Sequence, residues 1–447
     1  MCPLSGITQV LLIILAIFIF NSVIINALHL NNTAVTVHMG DTISVPYTIL
    51  QDDSDVDEKY WLQIKSSDDD VATVENEILN YTLNDFPLNS YVNITGIFLG
   101  KTSVKCRNIM KNKTITGYID VIVQRKKRLI DKIFTISVPT LVSIIYINFG
   151  CALNWGEIRQ TLRKPIGPVI GLCGHFIIMP LLSYGLGQIL FPGNHAMQLG
   201  MFFTGVSPAG GASNIWTLVL DGNVDLSITM TTISTLAAFG MMPFWIFTLG
   251  KLIFDEAKLN VPYDHIAYSA ISLFIPLTIG YLLTRYYKKL AAFLSRILKG
   301  LSSLLILFIV IFATVTNLYL FKLFSWQIVV AGMGLPYVGF ILAFIVAKAL
   351  RQPVPDCRAI AIETGVQNTG IAIFLLRVSL SQPTADLTTV CPVAVSVMTP
   401  LPLLIIYICK KIQERIHGPR KKINGNGNPI ESIESRKPFT IIEEERR

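Results

Sequence analysis

The chain has 447 residues, of which 52% are hydrophobic and 15% are charged, and its formal net charge is +8 at pH 7. Long apolar blocks separated by short polar loops are typical of a polytopic membrane protein and exclude a soluble globular one. The Lys and Arg residues collect in those loops and in the tail, so the basic balance reports membrane topology and does not indicate nucleic-acid binding.

The first apolar block, residues 10–25, has the length of a signal-peptide core and is followed by small and polar residues around Asn26 and Ala27. Residues 1–27 are therefore predicted to form a cleaved signal peptide. Residues 1–9 lack the Lys or Arg expected before such a core, so an uncleaved anchor stays open. With either interpretation the next segment is exported.

Residues 28–128 are predicted to form an extracellular, sandwich-like all-β domain. Short β-favouring runs at 33–37 and 118–123 are separated by turn signals. Cys106 has no partner cysteine in this segment, so the domain has no internal disulfide. A group of N-x-[ST] acceptors supports export and predicts glycosylation at Asn31, Asn80, Asn93 and Asn112.

A basic run, Arg-Lys-Lys-Arg at 125–128, precedes the first long apolar block. It matches the pattern that secretory-pathway processing proteases recognise, and cleavage there would release the β domain. The alternative that we prefer is a basic collar that contacts lipid headgroups.

Residues 129–409 are predicted to form a transmembrane domain of about nine helices. With the β domain outside, the basic residues between spans fall in cytosolic loops, and residues 410–447 form a disordered cytosolic tail. The predicted spans are 134–153, 166–190, 197–221, 225–250, 264–285, 297–319, 325–350, 356–381 and 386–409.

Polar interruptions break two of these spans. Residues 207–214 (SPAGGASN) lie in the third span and residues 363–370 (ETGVQNTG) in the eighth, the penultimate span of each half. Matching positions indicate an inverted repeat whose broken helices cross near the bilayer midplane. Such breaks persist only where protein, ions or a water-filled cavity satisfy the free backbone groups.

The broken helices predict cation-coupled transport of anions, because their N-terminal N–H groups face an anion and their free carbonyls face a cation. This arrangement disfavours a channel. The sequence has no nucleophile elbow, no metal-spaced His/Glu helix and no phosphate-binding glycine loop, so an enzyme is not predicted.

Polar side chains near the breaks suit a cation. Ser227 and Thr231 are spaced four residues apart and share one helix face, and Glu363 is a carboxylate well inside the eighth span. An intramembrane acid indicates a functional site. The two hydroxyls have an alternative, structural use, since hydroxyls in membrane helices also bond to their own backbone or to neighbouring helices.

These motifs resemble the bile acid:sodium symporter family. The resemblance covers residues 134–409 and rests on 207–214, on 225–232 (DLSITMTT), on 240–243 (GMMP) and on 363–368 (ETGVQN), in that order. It implies sodium-coupled symport of an amphipathic organic anion, such as a bile acid or a sulfated steroid, by alternating access around a midplane site. The long β domain is more similar to the orphan branch of the family.

The resemblance also implies site residues. No cofactor is implied beyond sodium as the coupling ion, and the sodium-binding residues would be Ser213, Asn214, Ser227, Thr231, Glu363 and Gln367. Of these residues, Glu363 and Gln367 would form a second sodium site together with a glutamine at the position where this chain has His175, and imidazole is a poor ligand for sodium. The substrate would lie against Gly211, Ala212 and Asn368. Arg377, near the end of its span, is expected to snorkel to headgroups, although attraction of an acidic substrate is an alternative.

Two other functions stay open. His175 would couple transport to protons, although a neutral packing histidine hydrogen-bonded to a hydroxyl is an equal alternative for this residue. Otherwise the helical domain would be a scaffold whose extracellular domain binds a ligand or partner. The expected partners are a small organic anion, sodium and membrane lipid, without nucleic acid. The protein is expected in the plasma membrane or a secretory-pathway organelle, and its oligomeric state is open.

Overall fold

The computed structural model describes residues 29–30, 33–50, 59–75, 78–82, 88–109, 113–114, 117–126, 129–152, 165–257, 263–287 and 324–417, with isolated positions between them. The predicted signal peptide, the sixth predicted span at 297–319 and the tail after 417 lie outside these residues, as do the sequons at Asn31 and Asn112.

The described N-terminal residues form the β domain, which spans residues 29–124. Its strands form one sheet in the order β1-β3-β7-β5 and a second in the order β2-β10-β8-β4-β6, with β9 paired to β8. The bounds are β1 His29–Leu30, β2 Thr33–His38, β3 Thr42–Leu50, β4 Lys59–Ser66, β5 Ala72–Val74, β6 Ile78–Thr82, β7 Leu88–Gly96, β8 Gly100–Asn108, β9 Lys113–Thr114 and β10 Ile119–Gln124.

Alternating residues of the two sheets bury one common core. In β10 the buried residues Ile119, Val121 and Val123 alternate with more exposed ones, as the two-residue period of a strand requires. They join Val45 and Ile94 of the other sheet in a single cluster. The predicted β-rich region is therefore present, although β2 and β10 pair in parallel and the other strand pairs are antiparallel.

The described residues after 128 are helical. Their bounds are α1 Leu129–Ala152, α2 Ile166–Cys173, α3 Met179–Leu190, α4 His195–Val206, α5 Ala212–Val219, α6 Val224–Trp245, α7 Lys251–Glu256, α8 Tyr263–Tyr286, α9 Trp326–Ala349, α10 Val354–Gly365, α11 Thr369–Ser379, α12 Thr384–Thr388, α13 Val390–Met398 and α14 Pro400–His417. Short π-helical segments, Gly174–Ile178 and Ile246–Gly250, join α2 to α3 and α6 to α7.

Within the described residues, four helical stretches are long and apolar enough to cross a membrane. They are Ile166–Leu190, Val224–Glu256, Trp326–Ala349 and Thr384–Ile416. The two broken spans divide instead into α4 and α5, and into α10 and α11, each too short to cross alone. The breaks predicted from the sequence therefore lie at 207–211 and 366–368.

The described helices form two units. Helices α1 and α8 pack closely on each other, since a Cβ added at Gly150 would lie 2.2 Å from the Leu277 carbonyl oxygen. This α1–α8 pair contacts the remaining helices mainly through α11. The remaining described helices, α2–α7 and α9–α14, pack on one another and are called the main bundle.

Candidate functional site

The two helix breaks meet inside the main bundle and hydrogen-bond to each other. The Gly210 N–H donates to the Val366 carbonyl at 2.8 Å, and the Asn368 N–H donates to the Pro208 carbonyl at 2.8 Å. Ala209 pairs with Gln367 as an isolated antiparallel bridge. Each break thus satisfies backbone groups that the other leaves free, which is the condition for unwound chain at membrane depth.

Gly210 is required at the crossing by close packing. A Cβ atom at this position would lie 2.8 Å from the Gln367 carbonyl oxygen and 3.2 Å from its carbon. Real Cβ atoms do not approach backbone that closely, so a larger residue would push the two breaks apart. The glycine-rich composition of 207–214 therefore has a direct structural cause.

Glu363 lies at the end of α10, beside the crossing, and is 2% exposed. Two hydroxyls on one face of α6 contact its carboxylate: Thr231 Oγ1 lies 2.6 Å from Oε1 and Ser227 Oγ lies 3.0 Å from Oε2. The i, i+4 spacing seen in the sequence therefore places both hydroxyls on the acid. The structural alternative is also present in part, because Thr231 Oγ1 is 3.0 Å from its own helix carbonyl at Ser227.

Asn214, on α5, completes a cluster of oxygen atoms. Its Oδ1 lies 2.9 Å from Ser227 Oγ and 3.3 Å from Thr231 Oγ1. Each hydroxyl has one proton, so the two hydroxyls cannot donate to the amide and to both carboxylate oxygens at once. The cluster has more acceptor oxygens than protons to bind them, and a cation at this position would remove the imbalance.

Two further buried residues border the cluster. Ser213 is fully buried one position before Asn214, with its hydroxyl beside the Glu363 carboxylate. Thr217 is fully buried, and its hydroxyl donates to Ser227 Oγ at 3.2 Å. The sequence interpretation missed Thr217, although it follows Asn214 by three residues and helical spacing puts both on one face of α5.

The ligand types favour a monovalent hard cation. The cluster offers carboxylate, amide and hydroxyl oxygens with a single formal negative charge. The described residues contain no group of three or more His, Cys, Asp or Glu side chains that would hold a metal ion. Sites for divalent or transition metals usually combine several such ligands.

His175 lies in the first π segment and is 1% exposed. Its Nε2 is 2.7 Å from the Ser207 carbonyl oxygen, and because a carbonyl only accepts, Nε2 carries a proton. Its Nδ1 has no hydrogen-bond partner within the described residues, and the same holds for Thr364 Oγ1 and Gln367 Oε1. The Gln367 amide nitrogen instead donates to the Thr364 carbonyl at 2.9 Å.

The residues expected to contact substrate lie at the start of the second half-helices. Gly211 and Ala212 are half-buried at the N-terminus of α5. Asn368 is half-buried at the N-terminus of α11, and its side-chain oxygen accepts from the Ile371 N–H at 3.3 Å. That oxygen therefore caps the helix. Because the oxygen is already hydrogen-bonded, the amide nitrogen is the part of the Asn368 side chain that can donate to a ligand.

Arg377 does not snorkel to headgroups, and this expectation is wrong. Its Nη2 lies 3.2 Å from Oδ1 of Asp386, whose side chain is 2% exposed. Arg125 from the basic run reaches the same carboxylate at 3.6 Å, and Lys126 pairs with Asp41 of the β domain at 2.7 Å. The lipid collar is therefore wrong for Arg125, while Lys127 and Arg128 lie outside the described residues.

Comparison with known proteins gives a consistent assignment. The family described as the Sodium Bile acid symporter family matches residues 139–324. The rat hepatic sodium/bile acid cotransporter is 32% identical over 302 residues, which are 66% of this chain and 81% of that protein. The rat sodium-dependent organic anion transporter is 32% identical over 253 residues, which are 56% of this chain and 66% of that protein.

The human P3 protein is 30% identical over 271 residues. The match covers 60% of this chain and only 57% of the length of that relative. Among solved structures, domains 4 and 5 of the S-layer protein SbsC match 22% of this chain and 51% of theirs at 18% identity. The TM-score of that match is 0.17, which is too low to support an argument about fold. The chain is a multi-pass membrane protein of a transporter family and not an enzyme. On the match to the hepatic cotransporter, it belongs to the sodium/bile acid symporter family.

Proposed function

We propose that the chain is a sodium-coupled symporter of amphipathic organic anions that works by alternating access around the crossed breaks. The observation that carries the proposal is the oxygen cluster of Asn214, Ser227, Thr231 and Glu363, which draws ligands from α5, α6 and α10. Buried oxygens in excess of available protons are what a partly dehydrated sodium ion needs. Ser213 would add a further contact to this ion, whereas Gln367 would belong with Glu363 to the second site, where His175 stands in place of the family's glutamine.

The substrate class follows from the relatives' names and from the crossing. Relatives are described as a sodium/bile acid cotransporter and as a sodium-dependent organic anion transporter. In this chain the N-termini of α5 and α11 begin at the crossing, where their N–H groups favour negative charge. We therefore assign Gly211, Ala212 and Asn368 to contacts with an anionic headgroup, such as the sulfonate or sulfate of a conjugated steroid.

The topology is part of the proposal. Residues 129–409 would cross the membrane about nine times as inverted repeats, with the sandwich-like β domain of residues 28–128 outside, a signal peptide at 1–27 and the tail of residues 410–447 in the cytosol. The basic residues support this orientation. Arg358 and Lys410 lie at the end of the main bundle away from the β domain, where Lys410 contacts the Val219 carbonyl at 3.0 Å.

Proton coupling through His175 is a second candidate. The observation in its favour is the buried ring beside the first break, with Nδ1 lacking a partner among the described residues and Nε2 bonded to Ser207.

Glycosylation is part of the proposed topology. Asn80 in β6 and Asn93 in β7 are proposed to carry glycans, because the β domain would lie outside the cell or in the lumen.

Sodium binding can be tested before a substrate is known. Purified protein is unfolded thermally in sodium and in choline at matched ionic strength, for wild type, Glu363→Gln and the control Glu414→Gln. Glu414 is a partly exposed carboxylate on α14 that pairs with Lys411 at 3.0 Å. Sodium at about a hundred times its Kd stabilises the folded state by about 2.7 kcal/mol.

The expected result is a sodium-specific rise in Tm for wild type and Glu414→Gln that Glu363→Gln lacks. Uptake of taurocholate and of a steroid sulfate in cells then tests the substrate class. No sodium effect in any variant, together with a pH-dependent Tm that His175→Gln removes, would replace sodium coupling with proton coupling. The absence of both the sodium effect and the pH effect would favour a scaffold whose β domain binds a ligand or partner.

A further inference from the structure

The β domain is docked on the main bundle, and the contact begins with two of its loops. Met39 follows β2, and Phe98 and Leu99 lie between β7 and β8. Leu99 is 3% exposed and belongs to one hydrophobic cluster with residues of the main bundle, and Met39 and Phe98 pack against it. The same cluster includes Phe191, Met197 and Leu387 at the ends of main-bundle helices, and Phe324, which precedes α9.

These loops are fixed by the β domain itself. The Phe98 N–H donates to the Val71 carbonyl at 3.1 Å, and the Met39 N–H donates to the Gln124 carbonyl at 2.9 Å. Met39 also packs against the core shared by the two sheets. The docking surface is therefore continuous with the β-domain core, and its backbone is held by hydrogen bonds within the β domain.

A buried charge cluster completes the docking surface. The Asp386 carboxylate at the start of α12 contacts two arginines. Arg125 directly follows β10, the last strand of the β domain, and Arg377 lies in the last turn of α11. The side chains of both arginines are 15% exposed and that of Asp386 is 2% exposed. A carboxylate buried to this degree is stable only when paired, so removal of a partner has a large effect.

The β domain is also tied to the other helical unit. Its last strand ends at Gln124, and α1 of the α1–α8 pair begins at Leu129. It is thus covalently joined to one unit and docked non-covalently on the other. Arg377 extends the contact to α11, the half-helix that starts at the crossing and forms the main interface between the two units.

We propose that the β domain is a latch of the transporter, which bridges the α1–α8 pair and the main bundle and releases from Asp386 when the two units move relative to each other. The docking itself is independent of transport. The latch rests on the proposed function, because it requires alternating access by rigid-body motion of helical units.

Docking is tested by trypsin cleavage of the basic run at 125–128 in the full-length purified protein. Asp386→Asn leaves the run unchanged, and Asp221→Asn is the matched control, since Asp221 pairs with Lys410 at 2.5 Å at the opposite end of the bundle. Cleavage of a transiently opened segment follows the population of the open form. The expected result is a rise in cleavage rate of about tenfold or more for Asp386→Asn and no change for Asp221→Asn.

Where Asp386→Asn fails to fold, Arg125→Gln replaces it, with Lys126→Gln as control. Each substitution removes one cleavage site, but Lys126 pairs with Asp41 of the β domain, whereas Arg125 pairs with Asp386 of the main bundle. Arg125→Gln is expected to be cleaved faster than Lys126→Gln. Equal rates within each pair of variants would overturn the docking.

The latch is tested by initial rates of taurocholate uptake, normalised to surface protein. Release of the β domain is expected to raise the rate of Arg125→Gln several-fold over that of Lys126→Gln. Faster cleavage with equal uptake rates would leave the docking intact and overturn the latch. Absence of sodium-dependent uptake in wild type would overturn the proposed function, and with it the latch, while the cleavage result would still establish the docking.

Discussion

The hydroxyl of Thr231 on α6 lies 2.6 Å from Oε1 of Glu363 on α10, so two helices that are distant in sequence meet at one buried carboxylate. The Thr231 hydroxyl also contacts Asn214 Oδ1 at 3.3 Å. This single side chain therefore joins all three helices of the cluster.

Thr231→Val is expected to weaken sodium binding by about tenfold or more, because it removes an oxygen ligand while keeping the shape of the side chain. The measurement is the sodium concentration that gives half-maximal thermal stabilisation. Thr232→Val is the matched control, since Thr232 is half-buried on the same helix and its hydroxyl donates to the Ile228 carbonyl at 2.9 Å. Equal sodium dependence in the two variants would remove Thr231 from the site.

Gly210→Ala is expected to lower the Tm in both sodium and choline, because its methyl group would collide with the Gln367 carbonyl. A cost of about 1–3 kcal/mol is typical of overpacking. Gly240→Ala, within α6, is the control: no atom lies within 4 Å of its added Cβ. That variant is expected to gain about 0.5–1 kcal/mol from helix propensity. A stable Gly210→Ala variant would contradict the described approach of the two breaks.

His175 predicts a low sodium stoichiometry, because it stands where the family resemblance implies a glutamine ligand. At about 60 mV and a tenfold sodium gradient, one sodium per monoanion gives about tenfold accumulation, and two give about a thousandfold. Wild-type transport is therefore expected to be electroneutral, with a Hill coefficient for sodium near one. A large sodium-dependent inward current with substrate would refute this.

His175→Gln is expected to add a second sodium, which would raise the Hill coefficient and produce an inward current with taurocholate. The control is His195→Gln, at the start of α4, whose ring Nδ1 contacts Gln198 Oε1 at 3.0 Å outside the crossing. Recordings from both variants at one substrate concentration separate an effect of this position from a general effect of losing a histidine.

Cys106 is expected to resist alkylation in the folded protein. It is fully buried in the β-domain core, and burial raises the pKa of its thiol from 9.0 to about 12. At pH 8 the reactive thiolate is thus about a thousandfold scarcer than at an ordinary cysteine. Because the folded pKa is the higher one, stability from this neutral thiol is lost as pH rises from about 9 towards 12.

Mass spectrometry after iodoacetamide treatment at pH 8 measures this protection. Cys409, which is exposed on α14, is expected to react first. Cys106 is expected to react only after urea is added. Early modification of Cys106 would mean that the two sheets do not enclose it in solution.

The sequence predicted the parts of the molecule that depend on local pattern. The polar runs at 207–214 and 363–370 gave the helix breaks, and the four-residue spacing of Ser227 and Thr231 gave their common face. The cluster around Glu363 needed in addition the family resemblance, since spacing alone does not say which helices are neighbours. The π segment that carries His175 has no local signal in the sequence.

The pairing of Arg125 and Arg377 with Asp386 was not predicted, because it joins residues that are far apart in the chain. Taken singly, Arg125 fits a basic collar and Arg377 fits a snorkelling arginine, while Asp386 stands at the start of a predicted span. The interaction depends on where the β domain sits on the helices. That placement follows from apolar contacts such as Leu99 with the main bundle, which no periodicity reports.

Two backbone hydrogen bonds, between Gly210 and Val366 and between Asn368 and Pro208, fix the two helix breaks to each other. Asn214 follows the first break by a few residues, and Glu363 precedes the second break by a few residues. The hydrogen bonds across the crossing therefore keep these two proposed ion ligands close to each other. An ion held there would keep Asn214 and Glu363 as ligands during alternating access, while its contacts with Ser227 and Thr231 would depend on the position of α6.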